Sequence, residues 1–253
     1  MLDSPPIGPR SSWFTAHGNP SARGTGCRHY CRSTGHKVIT PILSGLGTDQ
    51  HHLTQDITLH QHIEDVATEL AGLQDTVVLV GHSYAGMVIS GAAEAYPDKV
   101  ERLVYLDAFI PDDGQCVLDL LPPDTGAYFR TVAQEHGNGW RLPGGENQLD
   151  LWRLKPGEAR DFVRARLCDF SLRCFQEPLR LGENRKRNTP AAFVSCVAEG
   201  YPARPFFRPF AKKACASGWQ VHDLNTGHDC HVESPEEVAN ILLSGESIVG
   251  GGE

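Results

Sequence analysis

The chain predicts an α/β protein, with a mostly parallel sheet, helices on both faces and an inserted lid. Three observations carry that expectation. Apolar runs of strand length alternate with stretches of helical spacing over residues 35–109. The alternation stops at Pro111 and returns near residue 189. One apolar run, Val77-Val78-Leu79-Val80, leads straight into "GHSYAG", a serine set among small residues where a strand should hand over to a helix. The core is therefore expected in residues 1–110 and 189–253, and a cap or lid insertion in 111–188.

Each element has its own signal. "GHKVITPIL" (35–43) leaves a glycine and reads as a short strand. "DITLHQHIEDVATELAGL" (56–73) has apolar residues at 59, 63, 66, 67, 70 and 73, which is one face of a helix. His60 and His62 on that segment read as solvated, as does the pair His51-His52. "TVVLVGHS" is the next strand, and "YAGMVISGAAEAY" (84–96) is small and apolar nearly all round, so it reads as a buried helix that Pro97 closes. "VERLVYLDAF" (100–109) is a further strand. The insertion is rich in aromatics and Gly/Pro turns, with helix expected near 158–176. "AAFVSCVAE" (191–199) and "WQVHDLNTG" (219–227) resume the strand pattern. "SPEEVANILLS" (234–244) closes as a helix, with Ser234 as cap, Pro235 in the first turn and Glu237 completing a capping box.

Composition narrows the function. The chain has 253 residues, enough for one α/β domain with a sizeable insertion. It carries 23 basic and 31 acidic side chains, a net charge of −8. Nucleic acid and anionic membrane are therefore not expected partners, since both want a basic face. No apolar run approaches the roughly 18–20 residues of a membrane span. "MLDSPPIGPRSSWF" holds no apolar core of signal-peptide length, so a soluble, cytoplasmic protein is expected. The eight cysteines form no CxxC pair and are expected as free thiols. Cys27, Cys31 and His36 match no common zinc spacing, and neither metal nor cofactor is expected.

Ser83 is the candidate nucleophile. A serine hydroxyl needs a base within reach and a place for the oxyanion. A sharp strand-to-helix turn lifts the hydroxyl clear of the sheet and aims the next N–H at the oxyanion. Gly81 and Ala85, two residues either side, allow such a turn without clashes. The base is expected late in the chain, on a loop after a strand. His228, directly after Gly227 and before the last helix, meets that requirement. His82 adjoins the serine but should point away from it. Two residues compete as the acid. Asp107 ends the strand after the nucleophile helix, and Glu199 ends the strand before the one leading to His228. Asp107 is favoured because neighbouring parallel strands bring their C-terminal ends to one crevice. His17-Gly18-Asn19 is the early segment from which a second oxyanion N–H could come.

With these residues in place, the chain resembles the α/β-hydrolase fold superfamily. The nearer likeness is to its branch of small plant methyl esterases, hydroxynitrile lyases and bacterial carboxylesterases. The matching stretches are "GHKVITPILSGLG", "VVLVGHSYAGMVISG", "LVYLDAFIPDDGQ" and "TGHDCHVESPEEVA". The resemblance implies a triad on Ser83 and His228, with the acid at Asp107 or, one strand later, at Glu199. It maps the oxyanion N–H groups to Tyr84 and Asn19. Two features depart from the branch. The opening strand slot is "SSWFTA", followed by "NPSARGTGCRHYC", so the first two strands lack a convincing counterpart. The residue after His228 is Asp229, where hydroxynitrile lyases of the branch carry a lysine. The expected activity is a serine hydrolase that cleaves a small or medium carboxylic ester with an apolar part through an acyl-enzyme. A lyase on the same triad, or a catalytically impaired ligand binder, is the alternative.

Overall fold

The computed structural model describes residues 25–182 and 189–244, together with the backbone of 12–17. In chain order the core elements are β1 (Ser12–His17), α1 (Thr25–Ser33), β2 (Val38–Ile39), α2 (Leu59–Ala71), β3 (Val77–His82), α3 (Ala85–Ala95) and β4 (Val100–Leu106). The segment expected as an insertion follows, with α4 (Val117–Leu120), α5 (Pro123–His136), β5 (Arg141–Leu142), α6 (Glu146–Leu151), α7 (Glu158–Arg164), β6 (Phe170–Ser171) and α8 (Arg173–Gln176). The core resumes with β7 (Ala191–Cys196), α9 (Arg204–Ala216), β8 (Gln220–Leu224), α10 (Cys230–Glu233) and α11 (Pro235–Leu243).

The six core strands form one sheet in the order β2-β1-β3-β4-β7-β8, and every pairing is parallel. Parallel pairs need a crossover, and the helices between strands supply it. β3 is buried at every position, as a strand covered on both faces should be. Helix α3 packs on β1, β3 and β4, and α9 on β7 and β8. Leu79, Met87, Ile89, Leu106 and Phe193 are among the largest fully buried side chains, so the core sits directly beneath the β3–α3 junction.

Several expectations are corrected. "SSWFTA" overlaps a strand that lies inside the sheet, in register with β3 from Ser12 with Val77 to His17 with His82. Its mixed composition hid a position that the neighbouring strands determine. The strand expected over 35–43 contracts to Val38–Ile39. The longest helix of the insertion is α5, and the stretch 158–176 breaks into α7, β6 and α8. Ser234 precedes α11 with Pro235 in its first turn, but its side chain makes no capping bond. His62 is buried, not solvated. It lies on the face of α2 that buries Leu59 and Val66, and partners answer both ring nitrogens: Tyr84 Oη at 3.0 Å from Nδ1 and the Ser44 carbonyl at 2.9 Å from Nε2.

Close packing at the β3–α3 turn depends on small residues. A Cβ on Gly81 would lie 2.7 Å from the Ala85 carbonyl oxygen, and one on Gly86 would lie 2.1 Å from the Phe109 carbonyl oxygen. Both obstacles are backbone and cannot rotate away. Gly86→Ala is therefore expected to lower stability by roughly 1–3 kcal/mol, read as a fall in the denaturant midpoint. Gly72→Ala, where the nearest atom would be 3.5 Å away, is the matched control and should leave the midpoint unchanged or slightly raised.

Candidate active site

The sheet brings three chain-distant residues together at the C-terminal ends of its strands. β3 and β4 are last in register at His82 with Leu106, so the next residues, Ser83 and Asp107, stand side by side. Both have left-handed backbones, with φ of 56° for Ser83 and 42° for Asp107. A non-glycine residue there costs of order 1–3 kcal/mol and persists only where its surroundings hold it. Here the Ser83 N–H donates to the Leu106 carbonyl at 3.2 Å, the Phe109 N–H to the Ser83 carbonyl at 3.2 Å and the Asp107 N–H to the Val194 carbonyl at 2.7 Å. Three adjacent strand ends are thus tied to one another. Tyr84 stands at the N-terminus of α3, where helix geometry leaves the first N–H groups without intrahelical acceptors. β1 ends in register beside β3, and Asn19 lies outside the described residues.

His228 arrives on the loop after β8. Its N–H donates to the Trp152 carbonyl of the insertion at 2.9 Å, and its own carbonyl lies 2.9 Å from His82 Nε2. The preceding Gly227 has no room for a side chain, since a Cβ would sit 2.3 Å from the same Trp152 oxygen. The imidazole is buried, with Phe207 stacked on it at 4.6 Å between ring centroids. His82 packs beside it at 4.5 Å, as a packing residue turned away from the serine would.

The two candidate acids lie in different surroundings. Asp107 Oδ2 is 2.8 Å from His228 Nδ1, whereas the Glu199 side chain is exposed. β7 stops at Cys196, three residues short of the expected end, which carries Glu199 out into the following turn. The same turn brings in a residue that sequence reasoning did not single out. Tyr201 Oη donates to Asp107 Oδ2 at 2.8 Å and lies 2.9 Å from His228 Nδ1. The Cys196 N–H adds a bond to Asp107 Oδ1 at 3.3 Å. The only sequence signal for Tyr201 is an aromatic placed just beyond a strand end.

Burial governs the charges. It raises the Asp107 carboxyl to about 7, against the opposing pull of the Tyr201 hydroxyl and the Cys196 N–H. Burial also pushes the His228 imidazole below its ordinary range. With Nδ1 turned to Asp107, Nε2 is the ring nitrogen left for chemistry. Asp229, directly after His228, is completely buried, and burial raises it to about 8, with Glu233 and Asp107 adding to the effect.

Ser83, Tyr84 and His228 line one cavity of about 920 Å³. Its walls are mostly apolar and aromatic, with Phe129, Trp152, Phe170 and Phe175 from the insertion and Phe206 and Phe207 from α9. Phe210 of the same α9 cluster turns into the core instead, edge-on to Phe109 with ring centroids 5.4 Å apart. Among the described residues, two groups place three potential metal-ligating atoms close together: half-buried Asp49 with exposed His51 and His52, and buried His82, Asp229 and His231. In the first, Asp49 is already engaged by His52 Nδ1 at 2.7 Å and the Gly45 N–H at 2.8 Å. The second lines no part of the cavity beyond His82.

A parallel sheet with a serine in a strained strand-to-helix turn, an imidazole on a late loop and a buried carboxylate beside it defines an α/β hydrolase. The sequence model described as "Alpha/beta hydrolase family" matches residues 9–241, and the chain belongs to that family. It is 35% identical over 226 residues to a carbendazim hydrolyzing esterase of Nocardioides sp. (strain SG-4G), covering 84% of this chain and 89% of that protein. Salicylic acid-binding protein 2 of Nicotiana tabacum is 37% identical over 82 residues, 32% of each chain. Among solved structures, an extracellular alpha/beta-hydrolase from a Paenibacillus species superposes with a TM-score of 0.78 at 19% identity, covering 92% of this chain and 98% of that one. A pyrethroid hydrolase from Sphingobium faniae JZ-2 gives 0.75 at 21% identity, covering 93% and 97%. No described helix is long and apolar enough to cross a membrane.

Burial holds both His62 and His82 below the ordinary histidine range. A nitrogen-15 pH titration should find both rings taking up their second proton only below the unperturbed value of roughly 6.5. A ring at either position that titrates at or above that value would contradict the packing described for α2 and β3.

Proposed function

We propose that Ser83, His228 and Asp107 form the triad by which this protein, a carboxylic ester hydrolase, cleaves its substrate. The observation that carries the reading is the 2.8 Å contact between Asp107 Oδ2 and His228 Nδ1 at the wall of the cavity that Ser83 lines. Ser83 Oγ attacks the ester carbonyl while His228 Nε2 takes its proton. The tetrahedral intermediate collapses to the acyl-enzyme, and the same proton goes to the departing alcohol. Water then repeats the sequence and frees the acid. Asp107 fixes the tautomer and stabilises the imidazolium. The Tyr84 N–H at the start of α3 supplies one oxyanion donor, and Asn19 is proposed for the second.

The substrate is a small or medium ester carrying an apolar, preferably aromatic, part. Support comes from the aromatic walls contributed by the insertion and α9, and from the esterase among the relatives. We assign residues 111–188 as the cap that builds this pocket over the core formed by 1–110 and 189–253. Trp152 and Phe170 of the insertion both line the cavity, which supports that assignment.

Turnover of p-nitrophenyl butyrate tests the triad. Ser83→Ala should lower kcat by about 10⁶-fold and Asp107→Asn by about 10⁴-fold, while Glu199→Gln leaves it unchanged. Equal activity in Ser83→Ala would dismiss the mechanism. The reverse order for the two acids would reassign the carboxylate.

The pH dependence follows from Asp107. A carboxyl raised to about 7 is ionised only above that value, and the uncharged imidazole is kept by burial. The titration belongs to the coupled pair. kcat/KM should therefore fall as pH drops through about 7, with one apparent group. A rate still at its plateau two units lower would rule out the buried Asp107 as the controlling acid.

A further inference from the structure

We propose that Tyr201 is a positioning residue of this triad, whose hydroxyl keeps Asp107 ionised and forks the His228 Nδ1–H. The inference rests on the triad reading above and adds a residue to it. Three atoms form a near-equilateral triangle: Asp107 Oδ2 to His228 Nδ1 at 2.8 Å, Tyr201 Oη to Asp107 Oδ2 at 2.8 Å and Tyr201 Oη to His228 Nδ1 at 2.9 Å. A phenol has one proton to give and lone pairs to receive. Its proton goes to the carboxylate, so its oxygen is left to face the imidazole N–H. That N–H is then shared between a carboxylate oxygen and a phenol oxygen, both of which favour the imidazolium as it forms.

The arrangement answers a specific difficulty. Asp107 is 1% exposed, and an ionised carboxylate so deeply buried needs donors. It has the Cys196 N–H, His228 Nδ1–H and Tyr201 O–H. The Cys196 thiol also faces the carboxylate, as a weak donor, so the Tyr201 hydroxyl is the strong side-chain donor that does not itself change protonation during turnover. The tyrosine is held in place by its own turn, with its N–H donating to the Ala198 carbonyl at 3.2 Å and the Ala198 N–H donating to the Thr226 carbonyl at 3.2 Å. The loop after β7, one of the two places from which the acid was expected, delivers the acid's hydrogen-bond donor instead.

Other titratable groups face this centre. Cys196 approaches from β7 with Cys230 behind it, Asp229 follows His228, and His82 packs against the His228 ring. Asp229 is the one whose titration could be mistaken for that of Asp107, because burial also raises it.

The test is the pH profile of p-nitrophenyl butyrate hydrolysis in Tyr201→Phe, in the wild-type background and in Asp229→Asn. Losing one hydrogen bond to a charged group should lower kcat about tenfold near neutral pH. It should also move the acid limb of kcat/KM up by about one unit, leave KM within twofold and let the deficit shrink above pH 9. The same shift should persist with Asp229→Asn. A folded Tyr201→Phe with wild-type kcat and an unmoved acid limb overturns the inference, as does a shift that vanishes in Asp229→Asn. If Tyr201→Phe does not fold, 3-fluorotyrosine placed at 201 keeps the ring and strengthens the donor. Its acid limb should move to lower pH, and an unmoved limb again overturns the inference. Failure of the triad itself reads differently: hydrolysis would then be insensitive to Ser83→Ala in the wild-type background.

Discussion

A carboxylate buried at the end of β4, 2.8 Å from an imidazole buried at the end of β8's loop, is the contact on which the site depends. Neither group is stable in that position alone. Burial opposes charge on both, and an ion without donors in such a place costs several kcal/mol. The neighbouring strand ends resolve this. Asp107 receives the Cys196 N–H from β7 and the Tyr201 hydroxyl from the turn beyond it, while His228 is gripped through its backbone by Trp152 and His82. Side chains alternate along a strand, so a register slip of one residue in β4 would turn Asp107 away from His228. The chemistry therefore rests on strand register as directly as on residue type.

The second constraint is the pair of left-handed residues at one level of the sheet. Ser83 and Asp107 sit at φ of 56° and 42°, each locked by hydrogen bonds to adjacent strand ends. That conformation ends β3 at the serine and lets α3 begin two residues later. Gly86 permits the close approach of α3 to the chain after β4. Trp152 of the 111–188 segment borders both the cavity and His228. Trp152 lines the cavity with its side chain and holds the His228 N–H with its carbonyl. Changes in the segment that shapes the pocket are thereby coupled to the orientation of the imidazole.

Much of this was legible in the sequence, and the limits have physical reasons. β3, α3 and Ser83 were readable because an apolar β-branched run ending among glycines has few alternative folds. His228 stands out in the sequence by its place after Gly227, between a strand and the last helix. The sequence leaves both Asp107 and Glu199 open, because their placement turns on where β7 stops, and strand ends are set by pairing partners far along the chain. Tyr201 escaped notice for the same reason: its role exists only because β4 and β7 are neighbours. His62 was misjudged because a polar residue on an apolar helix face is tolerated when both nitrogens find partners, and those partners, Tyr84 and Ser44, are supplied by other elements. The opening strand was underrated because a strand inside a sheet borrows its order from β2 and β3. Asn19, proposed for the second oxyanion donor, lies outside the described residues.

The most direct test of the central claim is covalent. A fluorophosphonate reacts with a serine whose proton an adjacent base removes, and peptide mapping by mass spectrometry locates the adduct. The account predicts stoichiometric modification of the folded protein at Ser83, abolished when His228 is replaced by alanine. Folded protein that takes up no label, or takes it up at another serine, would contradict it.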